Sequence, residues 1–501
     1  MLKIGFDNEA YLEEQTNEIL ARVESARGRL YLEFGGKLMF DHHAARVLPG
    51  YDPNVKIRLL EKLRERAEII LCIFAGDIEK RKIRGDFGIT YDTDALMLID
   101  GFRARGIQIK GVVITRFEEQ PSAISFENRL KRRGVNVFRH YYTRGYPTDV
   151  DLIVSEEGYG RNDYIDCSKP LVVVTGPGPG SGKLATCLSQ LYHDYKRGVH
   201  AGYAKFETFP IWNIPLKHPA NAAYEAATAD LRDVNLVDPF HLEAYGTTAI
   251  NYNRDVEAFP LLNRILGKIT GDKSPYASPT DMGVNRVGFG ITDDHVIRRA
   301  AEQEIVRRFF RYSCEYVLGL SDRETVQKVE LLMDDYGLTP ESREVVEPAR
   351  RKVSQIETDI TADHAAAAAL MLMDGTVVTG RSSELMHASA AVVLNAIKKL
   401  AKIDDPVHLL SPATIESIRC LKKSINAIPL RLDLEEVLVA LSVNAAVFKP
   451  ASDGMAKLTE LRGCEAHLTH IPSPGDESGL RSLGIYVTCD PFFGSRRLYN
   501  S

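Results

Sequence analysis

The strongest chemical signal in the chain is a glycine-rich loop in the run LVVVTGPGPGSGKLATCLSQLYHDY, residues 171–195. The apolar stretch before the loop is typical of a strand, and Lys183 stands where a helix should begin. Glycine lets backbone N–H groups turn toward an anion, and a helix start adds unpaired N–H donors and a positive dipole end. A lysine adds a full positive charge. The pattern predicts that phosphate is bound by Gly176, Gly178, Gly180, Ser181, Gly182 and Lys183.

The loop is P-loop-like but departs at two positions from the nucleotide-binding pattern G-x-x-x-x-G-K-[ST]. The first glycine of the pattern should fall on Pro177, whereas Gly176 lies one residue earlier. The hydroxyl residue that holds Mg²⁺ should follow Lys183, but Leu184 stands there. The sequence therefore favours phosphate or nucleotide binding over catalysis with ATP or GTP. The alternative interpretation is a strand-to-helix turn with a surface lysine.

Three side chains are candidate cation ligands near this loop. Thr186 lies two positions beyond the expected hydroxyl, Asp77 follows the apolar run IILCIFAG, and Asp238 follows the run NLV. A P-loop enzyme needs such an acidic residue to hold its metal ion. The alternative for both aspartates is an ordinary cap of a turn. Because leucine cannot ligate a cation, we expect phosphate binding to depend weakly on Mg²⁺.

Two glycine-bounded segments carry side chains that can clamp an anionic ligand. Arg84 lies in GDIEKRKIRGDFG, and Asn285 and Arg286 lie in SPTDMGVNRVGFG. A guanidinium group binds phosphate or carboxylate through two parallel hydrogen bonds. The alternatives are a solvated charge run for the first segment and a simple turn for the second.

The region from Lys205 to Asp255 is rich in proline, asparagine and aromatic residues. It predicts long ordered loops, which often build binding sites. Since it follows the helix after the glycine loop within a few residues, we expect it to form one wall of the same pocket. Loops that only cover apolar surface or contact another subunit are the alternative.

Composition and charge argue against several classes of protein. The 501-residue chain has 63 basic and 68 acidic residues, and its net charge of −5 gives no reason to expect nucleic-acid or membrane binding. No apolar run is long enough to cross a bilayer, and the first residues lack the pattern of a signal peptide. Seven scattered cysteines without a CxxC pair fit a cytoplasmic protein, and they predict neither a disulfide framework nor a zinc site.

The order of apolar and amphipathic segments predicts the fold class. Short apolar runs alternate with amphipathic helices up to residue 200, which favours an α/β fold with a doubly wound, mainly parallel sheet. Residues 1–290 are expected to form this phosphate-binding domain, with the Pro/aromatic loop region at 200–290. A helical module follows at 291–358 and a smaller α/β C-terminal domain at 359–501. The predicted elements include strands at 152–154 and 376–379 and a helix at 362–373.

A further helix, predicted at 385–400, contains His387 in the run ELMHASAAVV. This run faintly resembles the H-A-E helix of nucleoside deaminases, but Ser389 replaces the glutamate and no P-C-x-x-C motif follows. At most, the C-terminal domain is expected to have a deaminase-like topology without zinc. Packing of an amphipathic helix is the alternative. No other metal site is predicted, because the histidines lack partners at the spacing of metal ligands.

Motifs spread over nearly the whole chain are similar to those of a bacterial family described only as a domain of unknown function. They include IGFDNEAYLEEQ, LYLEFGGKLMFDHHAARVLPG, KIRGDFGITYDTD, GPGPGSGKLATCLSQLYHDYKRG and KFETFPIWNIPLKHP. The resemblance implies a multidomain bacterial cytoplasmic protein with a divergent α/β C-terminal part. It implies no reaction, substrate or catalytic residue.

The sequence leaves two functions open. One is a protein that binds a nucleotide or another small phosphorylated molecule, with a transferase as its enzymatic form. The other is a non-catalytic ligand-binding or scaffold protein in which the glycine loop is structural. The sequence defines no catalytic residue and no cofactor beyond the phosphate ligand, and it leaves a homo-oligomer open.

Overall fold

The computed structural model describes residues 4–84, 88–355, 365–427 and 430–494, and at Arg84 it describes the backbone alone. The chain divides into two compact units. The N-terminal unit comprises Ile4–Glu225 and Arg232–Ala301, and the C-terminal unit comprises Ala226–Leu231 and residues 302–494. The predicted domains 1–290, 291–358 and 359–501 stay a prediction.

Strands form the centre of the N-terminal unit, and most of those in its main sheet have buried side chains, many of them β-branched. Such side chains suit strands that are covered on both faces. The strands are β1 (Arg29–Phe34), β2 (Ala67–Phe74), β3 (Ile83–Arg84), β4 (Ile89–Thr90), β5 (Gln108–Thr115), β6 (Val137–Arg139), β7 (Leu171–Thr175), β8 (Ala201–Phe206), β9 (Asn235–Val237), β10 (Ile250–Tyr252) and β11 (Gly283–Val284).

Amphipathic helices connect and cover these strands. Several begin at an aspartate whose side chain accepts backbone N–H groups of the first turn, as Asp7 does for the first helix. The helices are α1 (Asn8–Ser25), α2 (His42–Val47), α3 (Val55–Leu63), α4 (Ala75–Glu79), α5 (Tyr91–Ala104), α6 (Pro121–Lys131), α7 (Val150–Ile153), α8 (Lys183–Lys196), α9 (Pro219–Ala227), α10 (Pro239–Tyr245), α11 (Asn253–Thr270) and α12 (Pro279–Met282).

Within the described residues, seven of the strands form one parallel sheet in the order β11-β8-β1-β7-β2-β5-β6. The central strand, β7, pairs with β1 on one side and β2 on the other. Val172 and Val174 of β7 join a core cluster with α7, α8 and α11, whereas Val173 is buried on the opposite face. The predicted doubly wound α/β fold is therefore confirmed.

The connections after β2 and β7 leave these adjacent strands in opposite directions. Helix α5 contacts β2 and β5, toward one end of the sheet, while α8 contacts β1 and β8, toward the other. Open parallel sheets bind ligands at such a switch point, outside the carboxyl ends of the strands. The topology thus places the start of α8 at the most favourable position in this unit for a ligand.

Two parts of the N-terminal unit differ from the prediction. The predicted strand at 152–154 falls on α7, because the Asp149 side chain accepts the Leu152 N–H and starts a helical turn. The Pro/aromatic region contains α9, α10, β9 and β10, and so has more regular structure than loops alone. Short apolar runs do not distinguish a strand from a buried helical turn.

The C-terminal unit is a smaller mixed sheet with many helices. Its strands, in the order β13-β12-β14-β15, pair antiparallel except for β14 with β15. The strands are β12 (Ala367–Met371), β13 (Val377–Arg381), β14 (Glu465–Leu468) and β15 (Tyr486–Cys489). The helices are α13 (Asp294–Val317), which begins in the N-terminal unit, α14 (Arg323–Asp335), α15 (Val346–Ser354), α16 (Ala388–Ala401), α17 (Pro412–Ser424), α18 (Leu434–Ala445), α19 (Lys449–Met455) and α20 (Pro474–Ser482).

The helix predicted at 362–373 is wrong in its described part, which forms β12. Ala368 and Leu370 are fully buried there, and the strand pairs on both sides. Burial between two strands overrides the helix propensity of alanine. Residues 362–364 of that prediction lie outside the described residues. The strand predicted at 376–379 and the helix at 385–400 correspond to β13 and α16.

Candidate functional site

The glycine loop, residues 176–183, joins β7 to α8 at the carboxyl edge of the parallel sheet. Close packing requires three of its glycines. A Cβ at Gly176 would lie 2.4 Å from the carbonyl oxygen of Cys72, a Cβ at Gly178 would lie 2.6 Å from the hydroxyl of Tyr91, and a Cβ at Gly182 would lie 2.7 Å from the side chain of Thr115. These distances are shorter than real Cβ contacts, so the loop depends on the absence of side chains at these positions.

Backbone donors line the loop. Among the described residues, no backbone acceptor is bonded to the N–H groups of Gly178, Gly180, Gly182 or Lys183. The N-cap of α8 is the glycine at 182, which has a φ of 90° and no side chain to cap the helix, and the first turn contains no acidic residue. Unpaired donors at a helix start, together with the helix dipole, attract an anion.

The ammonium group of Lys183 is turned onto the same loop. Its Nζ donates to the carbonyl oxygen of Gly178 at 3.3 Å and to the hydroxyl of Ser181 at 3.4 Å. Both bonds are long compared with the usual distance of about 2.9 Å, which indicates weak interactions. The lysine is thus positioned at the loop while most of its charge is left for a ligand.

The end of β5 supplies a second cation. The Arg116 guanidinium donates to the carbonyl oxygen of Gly180 and stacks on the ring of Phe74, 3.7 Å from its centroid. The hydroxyl of Thr115 donates to the carbonyl oxygen of Ser181 at 2.8 Å. These contacts hold the loop from the neighbouring strand and place a guanidinium group beside it.

Asp77 lies in α4, directly after β2, and is the candidate carboxylate at this edge of the sheet. Burial raises the pKa of Asp77, although the positive charges of Lys82, Arg116 and Lys80 oppose this shift. The Lys82 ammonium lies 3.8 Å from the carboxylate. A carboxyl group with a raised pKa, close to a guanidinium, can exchange a proton or contact a polar ligand.

Thr186 is directed into the protein beneath the loop. It is fully buried, and its hydroxyl lies 3.4 Å from both the Cys72 thiol and Nδ1 of His140. Nε2 of His140 lies 3.1 Å from the carbonyl oxygen of Asp163. The hydroxyl is therefore engaged in an internal network, and this geometry does not favour Thr186 as a cation ligand.

Asp238 is the N-cap of α10 and is fully buried. Its carboxylate accepts the backbone N–H groups of Phe240 and His241, and it also accepts the Thr280 hydroxyl at 2.6 Å. Four hydrogen bonds, counting the Thr280 N–H, occupy both oxygens. The alternative interpretation, a structural cap, describes this aspartate better than a role as a cation ligand.

Asn285 and Arg286 follow β11, which is separated from β7 by the two strands β1 and β8. The Asn285 amide donates to the Pro210 carbonyl oxygen at 2.7 Å, and the Arg286 guanidinium pairs with Glu18. Both residues line a pocket that the glycine loop does not line. The side chain of Arg84, the third predicted clamp residue, lies outside the described residues.

The same pocket contains part of the Pro/aromatic region. Glu207, Trp212, His241 and Asn251 line it, but Lys183 does not. The glycine loop does not line this pocket, and a wall shared by the two regions elsewhere stays a prediction. The topology separates them here, since β8 carries the chain past β1, away from β7.

His387 is the N-cap of α16 in the C-terminal unit. Its Nδ1 lies 2.6 Å from the carboxylate of Asp476, which also accepts the hydroxyls of Ser389 and Ser473. In the described ranges, no group of three or more His, Cys, Asp or Glu side chains is arranged to hold a metal ion. Deaminase-like topology stays a prediction.

Comparison with known proteins places the whole chain in one family. A family model described as "Domain of unknown function DUF1846, N-terminal" matches residues 4–337, and its C-terminal counterpart matches residues 341–499. The chain belongs to the DUF1846 family. Similar proteins, each named "UPF0371 protein", are 58% identical in Clostridium botulinum (strain Langeland) and 56% identical in Clostridium tetani (strain E88), over 500 residues and 99% of both chains.

The resemblance of the sequence motifs to this family is thus confirmed. In this DUF1846 chain, the glycine loop joins β7 to α8 at the carboxyl edge of the parallel sheet. None of its helices, as far as they are described, is long and apolar enough to span a bilayer.

Sequence reasoning missed Arg116, Tyr91 and Glu207 as neighbours of candidate sites. Arg116 and Glu207 directly follow apolar strands, and that position was the signal that could have identified them.

Proposed function

We propose that this protein binds the phosphate group of a small molecule or nucleotide at the glycine loop. The observation that carries the proposal is the set of backbone N–H groups of Gly178, Gly180, Gly182 and Lys183 at the start of α8, for which the described residues supply no backbone acceptor. Clustered backbone donors form a concave site suited to phosphate oxygens. The ammonium group of Lys183 lies at the same loop and supplies the neutralising charge.

The surroundings of the loop support an anionic ligand. Arg116 adds a guanidinium group at the neighbouring strand end, and the first turn of α8 contains no carboxylate. Among the described residues near the loop, Asp77 is the acidic candidate, and burial raises its pKa. A phosphate group there meets positive charge from the lysine, the arginine and the helix dipole.

The arrangement favours binding without nucleotide hydrolysis. The hydroxyl of Thr186 is engaged by Cys72 and His140, and Leu184 has no ligand atom for Mg²⁺. Phosphoryl transfer by P-loop enzymes needs a metal ion held beside the transferred group. If the protein is an enzyme, a transferase acting on another part of the phosphorylated molecule fits the site better than an ATPase.

A non-catalytic role is the second candidate. The bonds from Lys183 to its own loop also stabilise the turn, as expected if the loop were structural. Binding measurements separate the two functions, because a structural loop has no affinity for phosphate.

The test is calorimetric titration with pyrophosphate, ADP and glucose 6-phosphate. Lys183→Ala should weaken binding by about tenfold or more, since a hydrogen bond to a charged group contributes about 1.5–3 kcal/mol. Lys196→Ala, at the opposite end of the same helix, is the matched control and should bind like wild type. Equal affinity for Lys183→Ala and wild type would exclude the proposal.

Repeating the titration with EDTA tests the metal dependence. Because Leu184 replaces the usual magnesium ligand, we expect the affinity with and without Mg²⁺ to agree within a few-fold. Strict dependence on Mg²⁺ would instead indicate a metal ligand such as Asp77, and Asp77→Asn should then abolish that dependence.

A further inference from the structure

A second pocket, separate from the glycine loop, lies at the carboxyl ends of β8 and β11. Its volume is about 180 Å³, below the roughly 300–1,000 Å³ of pockets for drug-sized ligands. Glu207 follows β8, and Asn285 and Arg286 follow β11, so the parallel sheet itself positions this side of the pocket. The lining residues are Glu18, Arg22, Glu207, Pro210, Trp212, His241, Ile250, Asn251, Pro279, Thr280, Asp281, Gly283, Asn285 and Arg286.

One wall of the pocket is a fixed aromatic surface. The indole N–H of Trp212 donates to the carbonyl oxygen of Asn285 at 2.7 Å, which anchors the ring to the end of β11. The Trp212 ring meets the His241 ring edge-on, with centroids 6.5 Å apart, and His241 lies 4.8 Å from the ring of Tyr245. Because the indole N–H is already bonded, the ring offers apolar contact to a ligand and no hydrogen bond.

The charges in the wall largely neutralise one another. The Glu18 carboxylate pairs with both Arg22 and Arg286. Burial tends to raise the pKa of Glu18, but the hydrogen bonds from Arg286 and Arg22 hold it below the ordinary value. The Asp281 carboxylate accepts the Tyr245 hydroxyl at 2.8 Å and two backbone N–H groups. No surplus of positive charge is left for a phosphate or carboxylate.

Glu207 is a carboxyl group of the wall with a raised pKa. Burial raises the pKa of Glu207 to about 7, although Lys205, 2.6 Å away, opposes the shift, and Asp255 and Glu33 add to it. In its protonated form this carboxyl group can both donate and accept a hydrogen bond. The other charged or titratable groups lining the pocket are Glu18, Arg22, His241, Asp281 and Arg286.

These features together define the chemistry of a ligand. A pocket of this volume accommodates one ring, and the balanced charges favour an uncharged ligand. The carboxyl and guanidinium groups match neighbouring hydroxyls through paired hydrogen bonds, and the indole matches an apolar face. We propose that this pocket binds a single uncharged sugar ring, with its hydroxyls on Glu207, Arg22 and Arg286 and its apolar face on Trp212.

The test uses Trp212 as an intrinsic probe, since it is the only tryptophan in the chain. The full-length protein is titrated in phosphate-free buffer with glucose, galactose, mannose and myo-inositol while Trp212 fluorescence is recorded. The expected result is a saturable change with at least one of these neutral compounds. The absence of saturation with all four would overturn the proposal, as would saturation only by their phosphorylated forms.

Variants then locate the binding. Glu207→Ala removes both the donor and the acceptor of the carboxyl group, and we expect it to weaken binding by about tenfold. Glu257→Ala, at an exposed position of α11, is the control and should bind like wild type. Unchanged affinity in Glu207→Ala would overturn the assignment to this pocket. If Glu207→Ala does not fold, Arg286→Gln replaces it with the same expected loss, and unchanged affinity there likewise overturns the assignment.

Discussion

At the scale of single residues, His140 shows how the glycine loop rests on a neutral hydrogen-bond network. Its Nε2 lies within bonding distance of the Asp163 carbonyl oxygen, so this nitrogen carries the proton and Nδ1 accepts from Thr186. Burial lowers the pKa of His140 to about 4, and the bond to Asp163 only partly offsets this shift. Burial also raises the pKa of the Cys72 thiol to about 12, so it too stays uncharged.

This network predicts acid sensitivity. The pKa of His140 falls from 6.5 in the unfolded chain to about 4 in the folded protein. Its contribution to stability is therefore fully present above pH 6.5 and is lost progressively as the pH falls toward 4. We expect the melting temperature of wild type to decrease over this window, and that of His140→Gln to decrease less, as measured by circular dichroism.

The melting curve of wild type must be compared with that of His140→Gln, because another histidine titrates in the same range of pH. Burial lowers the pKa of His470 to about 4 as well. His295→Gln, at an exposed position on α13, serves as the control and should follow the wild-type curve. Parallel curves for wild type and His140→Gln would contradict the prediction.

At the scale of elements, the glycine loop is held by steric fit, and its glycines are not equivalent. Gly176→Ala places a Cβ 2.4 Å from the backbone of Cys72, whereas Gly180→Ala meets its nearest atom at 4.0 Å. Both should lower stability. The first should cost more, because overpacking typically costs about 1–3 kcal/mol and the backbone cannot give way as a flexible side chain would. Urea denaturation measures the difference.

A control separates steric overlap from backbone strain. Gly134 has a φ of 70°, close to the 71° of Gly180, and nothing lies within 4 Å of its Cβ position. Gly134→Ala should therefore cost about as much as Gly180→Ala, on the order of 1 kcal/mol. If Gly176→Ala is no more destabilising than these two, the steric account of the loop is wrong.

The sequence predicts helices and strands well where the buried side chains follow the spacing of apolar residues along the chain. The strand before the glycine loop, β7, and the helix that begins at Lys183, α8, form where the sequence predicts them. Prediction fails where tertiary contacts decide, as in β12, whose alanines favour a helix but are buried between two strands. It also fails at α7, because the three-residue apolar run at 152–154 has no period that distinguishes helix from strand.

The sequence also locates the glycine loop, but not its neighbours. Arg116 and Asp77 come to the loop because β5 and β2 lie on that side of β7, and strand order is set by packing across long separations. The same order carries Asn285 and Arg286 to a different pocket. A local pattern thus identifies a binding loop, whereas the composition of a complete site depends on topology.

At the scale of the whole molecule, the C-terminal unit has a core of its own. Among the described residues, the buried members of its main hydrophobic cluster lie between Ala366 and Ile485, and the cluster combines the mixed sheet with α16, α18 and α20. Glu465 on β14 is held by two arginines, Arg307 at 2.6 Å and Arg343 at 2.8 Å. A separate core is the physical requirement for a segment that folds alone.

This arrangement predicts the behaviour of two fragments. Residues 341–501 contain the whole cluster and Arg343, so we expect a cooperative thermal transition by circular dichroism and calorimetry. Residues 302–501 also contain Arg307, and this longer fragment should melt at a higher temperature, because removing one partner of a buried charge is destabilising. Arg307→Met in the longer fragment should remove part of that difference, whereas Arg323→Met, on α14, should leave it unchanged.

A non-cooperative transition in both fragments would show that the cluster does not suffice for folding. Equal melting temperatures would show instead that Arg343 alone satisfies Glu465.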